Sequence, residues 1–310
     1  MLWRTIALCL MAQQPEFRVD VDVVNLVATV RDSAGRVVST LSADDFILEE
    51  NGVRQQIRYF SRQSELPLTI GLLVDTSFSQ RRLLESQRAA ARALFANTLR
   101  PDKDRAFVTQ FDFEVRTQQD LTASREKLSA SLDRLETPPS QVEYSRAKTG
   151  KRRPTAGTKI YDAVSLACDA RLRGVEGRKA IVLISDGVDV GSTKRLEEAI
   201  QSAQLADAII YAIRYFDPAS YRPLSGGPES APAAFGAEAL KRIADGTGGR
   251  MFEAAESKAL DRVFREIEEE LRNQYSIGYS PANGGRGFRA IRLRVKDESL
   301  NVRTRPGYYR

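Results

Sequence analysis

Three stretches constrain the fold most. "LTIGLLV" from Leu68, "KAIVLIS" from Lys179 and "AIIYAIRY" from Ala208 are apolar at nearly every position. A strand with one wet face alternates apolar and polar residues. A strand with no polar row is covered on both faces, as in parallel sheets with helices above and below. The intervening segments read as helices. Leu83, Leu84, Leu94, Phe95 and Leu99 mark the first; "SREKLSASLDRL", Ile160 to about Arg173, and "TKRLEEAIQSAQLA" follow. "RAFVTQF" and "RMFEA" add two strands. "AEALKRIADGTGG" is a helix closed by glycine, and Leu260, Val263, Phe264, Ile267 and Leu271 are the inner row of another. This alternation predicts an α/β fold with a doubly wound, mostly parallel sheet.

The two ends differ from this middle. Between Phe17 and Tyr59, Val19, Val21 and Val23 alternate with polar residues, and then the phase slips to Leu26, Ala28 and Val30. Such a slip predicts a bulge or a strand that changes partners. Asp32-Ser33-Ala34-Gly35 reads as a turn. Asn51-Gly52 is a type I′ hairpin signal between "DFILEE" and "VRQQIRYF". After Asn273, "YSIGYS" and "FRAIRLRVK" are strands, the second with Ile291, Leu293 and Val295 on one face. Neither end has enough strands to bury a sheet alone. The expectation is one small β-rich domain, residues 17–63 plus 275–310, with an α/β domain of residues 66–274 inserted in it.

Composition narrows the chemistry. The chain has no histidine, which removes Ser-His-Asp and Cys-His catalysis and histidine-ligated metals. Its 47 basic and 41 acidic residues are interspersed, and no nucleic-acid-reading motif accompanies the net charge of +6. No apolar run is long enough to span a membrane. The segment "MLWRTIALCLMA", residues 1–12, fits a short signal sequence, which predicts export to the periplasm or outside the cell; the bland reading is a disordered start, with a cytoplasmic protein. Cys9 follows Leu8, where a lipid-attachment site requires a small residue. Cys168 reads as a small core residue.

In open parallel sheets, ligands bind beyond the carboxyl ends of the strands. Three features fall there: Asp75-Thr76-Ser77-Phe78-Ser79 after the first apolar strand, Asp186 after "AIVLIS", and Thr158 in "AGTKIYDAV". Each has a simpler reading alone. Ser77, Ser79 and Thr158 could cap helices, and Asp186, Asp189 and Asp112 could be turn acids. Taken together, two carboxylates and three hydroxyls are hard oxygen donors suited to Mg²⁺ or Mn²⁺. The basic run "SRAKTGKRR", Ser145–Arg153, reads as a solvated loop or as a rim that attracts acidic partners.

The order Asp75-x-Ser77-x-Ser79, then Thr158, then Asp186 resembles the metal-ion-dependent adhesion site of the von Willebrand factor A domain. The resemblance covers about Leu66 to Gln274. The flanks, with "DFILEENGVRQQIRYF" and the tail "VRTRPGYY", look like the ends of bacterial proteins related to that family, of a kind associated with Acidobacteria. The resemblance implies a non-enzymatic, metal-dependent protein-binding module. Its Mg²⁺ (or Mn²⁺) would be held by Asp75, Ser77, Ser79, Thr158 and Asp186, and the open coordination position would accept an Asp or Glu carboxylate from a partner protein. Two alternatives stand beside it. One is an Mg²⁺-dependent phosphohydrolase of the haloacid dehalogenase type, although Ser77 occupies the place of its second acid. The other is an exported structural domain with a vestigial site.

Overall fold

A computed structural model describes residues 23–62, 66–138, 157–216, 231–254, 257–281 and 285–309. The segment 1–12, Val19, Val21 and the basic run Ser145–Arg153 lie outside the described residues.

The middle of the chain forms a six-stranded sheet. Its strands are β5 (Leu68–Asp75), β6 (Arg105–Phe111), β7 (Val115–Thr122), β8 (Arg178–Ser185), β9 (Ala208–Tyr215) and β10 (Met251–Ala254), in the spatial order β10-β9-β8-β5-β6-β7. All neighbours are parallel except β6 and β7. Strand β7 is absent from the sequence expectation, and its composition explains why. "VRTQQDLT" is polar, lies on the sheet edge and is nowhere fully buried.

Helices cover both faces. On one side lie α1 (Leu84–Thr98), α2 (Arg125–Asp133) and α6 (Ser257–Arg272); on the other, α3 (Ile160–Ala167), α4 (Leu196–Leu205) and α5 (Ala231–Thr247). The continuous apolar run of β5 divides between these layers. Ile70, Leu72 and Val74 join the first cluster and Leu73 the second. Gly71 also points to the second side, where a Cβ would lie 2.3 Å from the Phe107 ring, so the absence of a side chain admits that ring. Helix α3 is shorter than its apolar pattern suggests. It ends at Ala167 and continues as a π-turn over Cys168–Leu172, with Cys168 and Leu172 still in the core.

Strands from the two ends of the chain pair with each other. The N-terminal ones are β1 (Val24–Arg31), β2 (Phe46–Glu50), β3 (Val53–Gln55) and β4 (Tyr59–Arg62). The C-terminal ones are β11 (Tyr275–Tyr279), β12 (Phe288–Val295), β13 (Asn301–Arg303) and β14 (Gly307–Tyr309). They make two four-stranded sheets, β13-β1-β11-β4 and β14-β12-β2-β3. Strand β1 pairs with β11 over Val24–Ala28 and with β13 over Thr29–Arg31, and Leu26, Ala28 and Val30 keep one phase across that change, which lies beyond the slip in the sequence pattern. Asn51 and Gly52 both have positive φ, 49° and 79°, as a type I′ turn between β2 and β3 requires. "VRQQIRYF" is not one return strand, because β3 and β4 belong to different sheets. Leu26, Ala28, Val30, Phe46, Leu48, Ile277, Ile291, Leu293 and Val295 form one cluster between the two sheets.

The β layers are tied to the α/β body by Arg31–Glu270 (2.6 Å), Gln274–Tyr211 (3.1 Å) and Arg305–Asp207 (3.0 Å). Among the described residues, no helix is long and apolar enough to cross a membrane.

Candidate metal centre

The sheet order places a switch point between β5 and β8. From β5 the chain steps to β6 on one side, and later to β8 on the other. The helices that follow these two strands, α1 and α4, leave to opposite faces. The carboxyl ends of β5 and β8 therefore border a crevice, the usual ligand position in such sheets.

Asp75 is the last residue of β5, and Ser185 is the last of β8. The parallel register pairs Val74 with Ile184, which brings the next residues level. Ser185 Oγ donates to Asp75 Oδ2 at 2.6 Å. Asp75 Oδ1 accepts the Ser77 N–H at 2.9 Å, folding the loop back over the strand end. Ser77 Oγ and Ser79 Oγ are 3.1 Å apart, and Ser79 Oγ donates to Asp186 Oδ2 at 2.6 Å. Gln80 reaches the same oxygen at 3.3 Å. Four of the five expected residues thus share one chain of polar contacts. Asp75 and Asp186 are almost completely buried in it.

Thr158 joins through the backbone. It pairs with Val190 in both directions (2.9 Å each), in the loop that follows Asp186. The next residue, Lys159, donates its N–H to the Asp112 carbonyl at 2.9 Å. Asp112 is fully buried and accepts from Thr76 Oγ1 at 3.1 Å and Arg116 at 2.7 Å. It makes the expected turn, accepting the Glu114 N–H at 3.0 Å. It also ties the Asp75–Ser79 loop to the Thr158 loop.

The capping alternatives can now be weighed. Ser77 stands at the start of a 3₁₀ turn, Phe78–Gln80, and makes no side-chain cap bond. The start of α3 is capped from elsewhere, by Asp189, whose Oδ1 accepts the N–H groups of Ile160 (2.9 Å) and Tyr161 (3.3 Å). Asp189 thus caps this helix, and the Thr158 side chain is not needed for that role.

Two glycines let the crevice close. Gly187 has φ +87°, and a Cβ there would lie 2.1 Å from the Gly236 carbonyl oxygen of α5. A Cβ on Gly236 would in turn meet the Asp186 carbonyl at 2.6 Å. The first turns of α5 therefore rest directly on the Asp186 turn.

The electrostatics are those of an anionic pocket. Burial, and next the charge of Asp186, push the Asp75 carboxyl up to about 8, against the opposing bonds from Ser185 and Ser77. Among the described residues no Lys or Arg forms an ion pair with Asp75, and no three His, Cys, Asp or Glu residues are grouped so that they alone could hold a metal ion. Two acids with surrounding hydroxyls fit a hard divalent ion better than a soft one. Ser185, Gln80, Thr76 and Asp112 support this cluster and were not picked out from the sequence. Only Asp112 carried a signal, an acid at a strand end.

Residues 70–188 match the family model of the von Willebrand factor type A domain. Among solved structures, proximal thread matrix protein 1 from the mussel byssus aligns with a TM-score of 0.52 at 15% identity, over 72% of this chain and 51% of that one. The same protein with a zinc-occupied MIDAS motif, the adhesion-site motif named above, gives 0.51 at 15% identity, over 72% and 50%. A von Willebrand factor type A structure from Catenulispora acidiphila gives 0.47 at 13% identity, over 93% and 74%. The match spans about half the length of the mussel protein, and at these identities the likeness is one of fold. No curated protein matches the chain at a significant level. The match is confined to residues 70–188, the part of the chain that holds the switch-point crevice and four strands of the sheet around it, and it is that segment that is similar to the von Willebrand factor type A domain.

Proposed function

We propose that the protein is a metal-dependent protein-binding module and not an enzyme. Asp75, Ser77, Ser79, Thr158 and Asp186 would hold Mg²⁺ or Mn²⁺, and a partner protein would complete the coordination with an Asp or Glu carboxylate. The observation that carries this reading is the pair of buried acids, Asp75 and Asp186, bridged by serine hydroxyls at the switch point. Burial and the neighbouring Asp186 disfavour the ionised form of Asp75. A bound divalent ion would favour that form and leave residual positive character for an incoming carboxylate.

The chain's own part is positional. Ser185 and the Ser77 N–H orient Asp75; Ser79 and Gln80 orient Asp186. The backbone pair Thr158–Val190 sets the third side. The mussel protein's zinc-occupied motif supports metal binding on this fold. We also propose that residues 17–63 and 275–310 form a β domain that carries the 66–274 domain as an insertion, and that the protein is exported on the strength of residues 1–12.

Calorimetry with Mg²⁺ and Mn²⁺ tests the centre. Saturable, one-to-one uptake is expected, and Asp75→Ala should abolish it while circular dichroism stays unchanged. Equal uptake by that variant would remove the reading.

A further inference from the structure

The described residues next to the centre are not uniformly polar. Phe78, between Ser77 and Ser79, is 55% exposed. Val190, the backbone partner of Thr158, is 52% exposed. Phe235 is 74% exposed and precedes Gly236, whose backbone rests on Asp186 and Gly187. Each belongs to a different segment: Phe78 and Val190 are adjacent to or backbone-paired with a site residue, and Phe235 is next to the helix glycine that packs on the Asp186 turn. A single exposed apolar side chain needs no explanation. Here three such residues lie on the separate segments that border one polar centre, where exposed apolar groups mark an interaction site.

The nearby charge is partly engaged. The Arg81 guanidinium lies over the Phe78 ring, 5.9 Å from its centroid. Lys159 pairs with Asp162 at 3.8 Å. Asp189 is held by the α3 backbone and by Ser192. On the Thr158 side, Phe113 is half-buried, and its Cβ would lie 3.1 Å from a Cβ on Gly157. Here too, an aromatic residue backs the loop.

We infer that the partner presents an Asp or Glu flanked by apolar side chains, the carboxylate seating at the centre while its neighbours cover Phe78, Val190 and Phe235. The inference rests on the metal-centre reading and narrows its partner class from acidic proteins in general to an acid set in an apolar surface. The physical logic is complementary. An apolar rim excludes water around the carboxylate, which strengthens the central charge attraction and contributes buried area of its own. A strongly acidic partner would gain nothing from these three side chains. Its binding would instead rest on long-range attraction and weaken steeply with salt.

A phage-displayed heptapeptide library, panned on the full chain in Mg²⁺ and eluted with chelator, tests this. The expected sequences carry one Asp or Glu with Leu, Ile, Val, Phe or Tyr beside it. A synthetic peptide of the winning sequence should lose about tenfold in affinity with Phe235→Ser or Phe235→Ala, the size expected of a rim contact. Both variants should take up Mg²⁺ as the parent does. Raising NaCl from about 50 to about 500 mM should change that affinity less than about threefold, because screening acts mainly on exposed charge pairs. Runs of acids in the eluted peptides, or unaltered affinity in both variants, would overturn the inference and leave the metal centre standing. So would an empty chelator eluate from a chain that calorimetry finds loaded. Absence of Mg²⁺ uptake by the parent chain defeats the metal reading and this inference together.

Discussion

Two buried carboxylate centres in this molecule are built on opposite plans. Glu50, on β2, lies under the β layers with its own counter-ion. Arg289 bonds one carboxylate oxygen, while Tyr279 and Tyr308 donate to the other, Tyr308 at 2.9 Å. Burial works to raise its pKa, but the bonds from Tyr279, Tyr308 and Arg289 more than offset this and hold it below the ordinary value. Asp75 is as deeply buried, yet receives only a serine hydroxyl and a backbone N–H, with a second acid nearby. Its pKa is pushed the other way. Around Glu50 the chain supplies the cation. Asp75 receives a hydroxyl and an amide instead, and this contrast is the physical content of the proposed metal centre.

The most severe way to test the contrast is to remove one centre's partners. Tyr279, Arg289 and Tyr308 all come from the C-terminal strands, whereas the expected metal ligands lie between residues 75 and 186. A chain ending at Gln274 loses β11 and β12, the partners of β1 and β2. Its Asn51-Gly52 hairpin should be cut by protease within minutes under conditions that leave the full chain intact. Equal resistance would show that the two ends do not depend on each other.

The next largest effect separates the centres by sign. Glu50→Ala should lower the thermal midpoint by several degrees, because it removes the acceptor shared by Arg289 and two tyrosine hydroxyls. Asp75→Asn should stabilise the metal-free protein, by on the order of 1 kcal/mol, because an amide removes the cost of holding a buried acid neutral beside Asp186. The same variant should gain nothing from saturating Mg²⁺, whereas the parent should be stabilised according to ligand linkage. A loss of stability in metal-free Asp75→Asn would break the comparison.

Acid should sharpen it further. The folded-state pKa of Glu50 is depressed, so its contribution is fully present above the ordinary value of 4.5 and is lost as pH falls through the folded value. The thermal midpoint should therefore drop below about pH 4.5. Glu50→Gln should flatten that part of the profile. A profile identical to the parent's would remove Glu50 as its source.

The smallest effect concerns Asp112. Asp112→Asn should retain the fold but loosen the loop tied through Thr76, weakening Mg²⁺ binding by about threefold to tenfold, as mutation of supporting residues commonly does. A drop in stability with unchanged Mg²⁺ affinity would mark Asp112 as a fold residue only.

The body of the fold was legible because strands covered on both faces leave no polar row, as in Leu68–Asp75 and Arg178–Ser185. Strand β7 was not, because an edge strand with exposed Thr117 and half-buried Gln118 and Gln119 carries no apolar period. The split of Val53–Arg62 between two sheets depends on which strands of the distant tail arrive beside it. At the centre, the sequence picked out Asp75, Ser77, Ser79, Thr158 and Asp186 as a pattern of residue types at strand ends. It could not pick out Ser185, which reaches Asp75 only because β5 and β8 lie side by side in register. Nor could it separate Thr158 as a cap from Thr158 as a ligand, because the true cap, Asp189, lies 31 residues away in the chain.

The pairing of the two ends also determines how the molecule carries tension. A pull applied at Val24 and Tyr309 runs through the antiparallel contact of β1 with β13 and along the short link to β14. It does not pass through β5–β10. A pull applied between a bound partner and either end must instead leave the parallel sheet through the segments before Leu68 and after Arg272. The protein would thus have two load paths of different make, one through the β layers alone and one that includes the strand ends bearing Asp75 and Asp186.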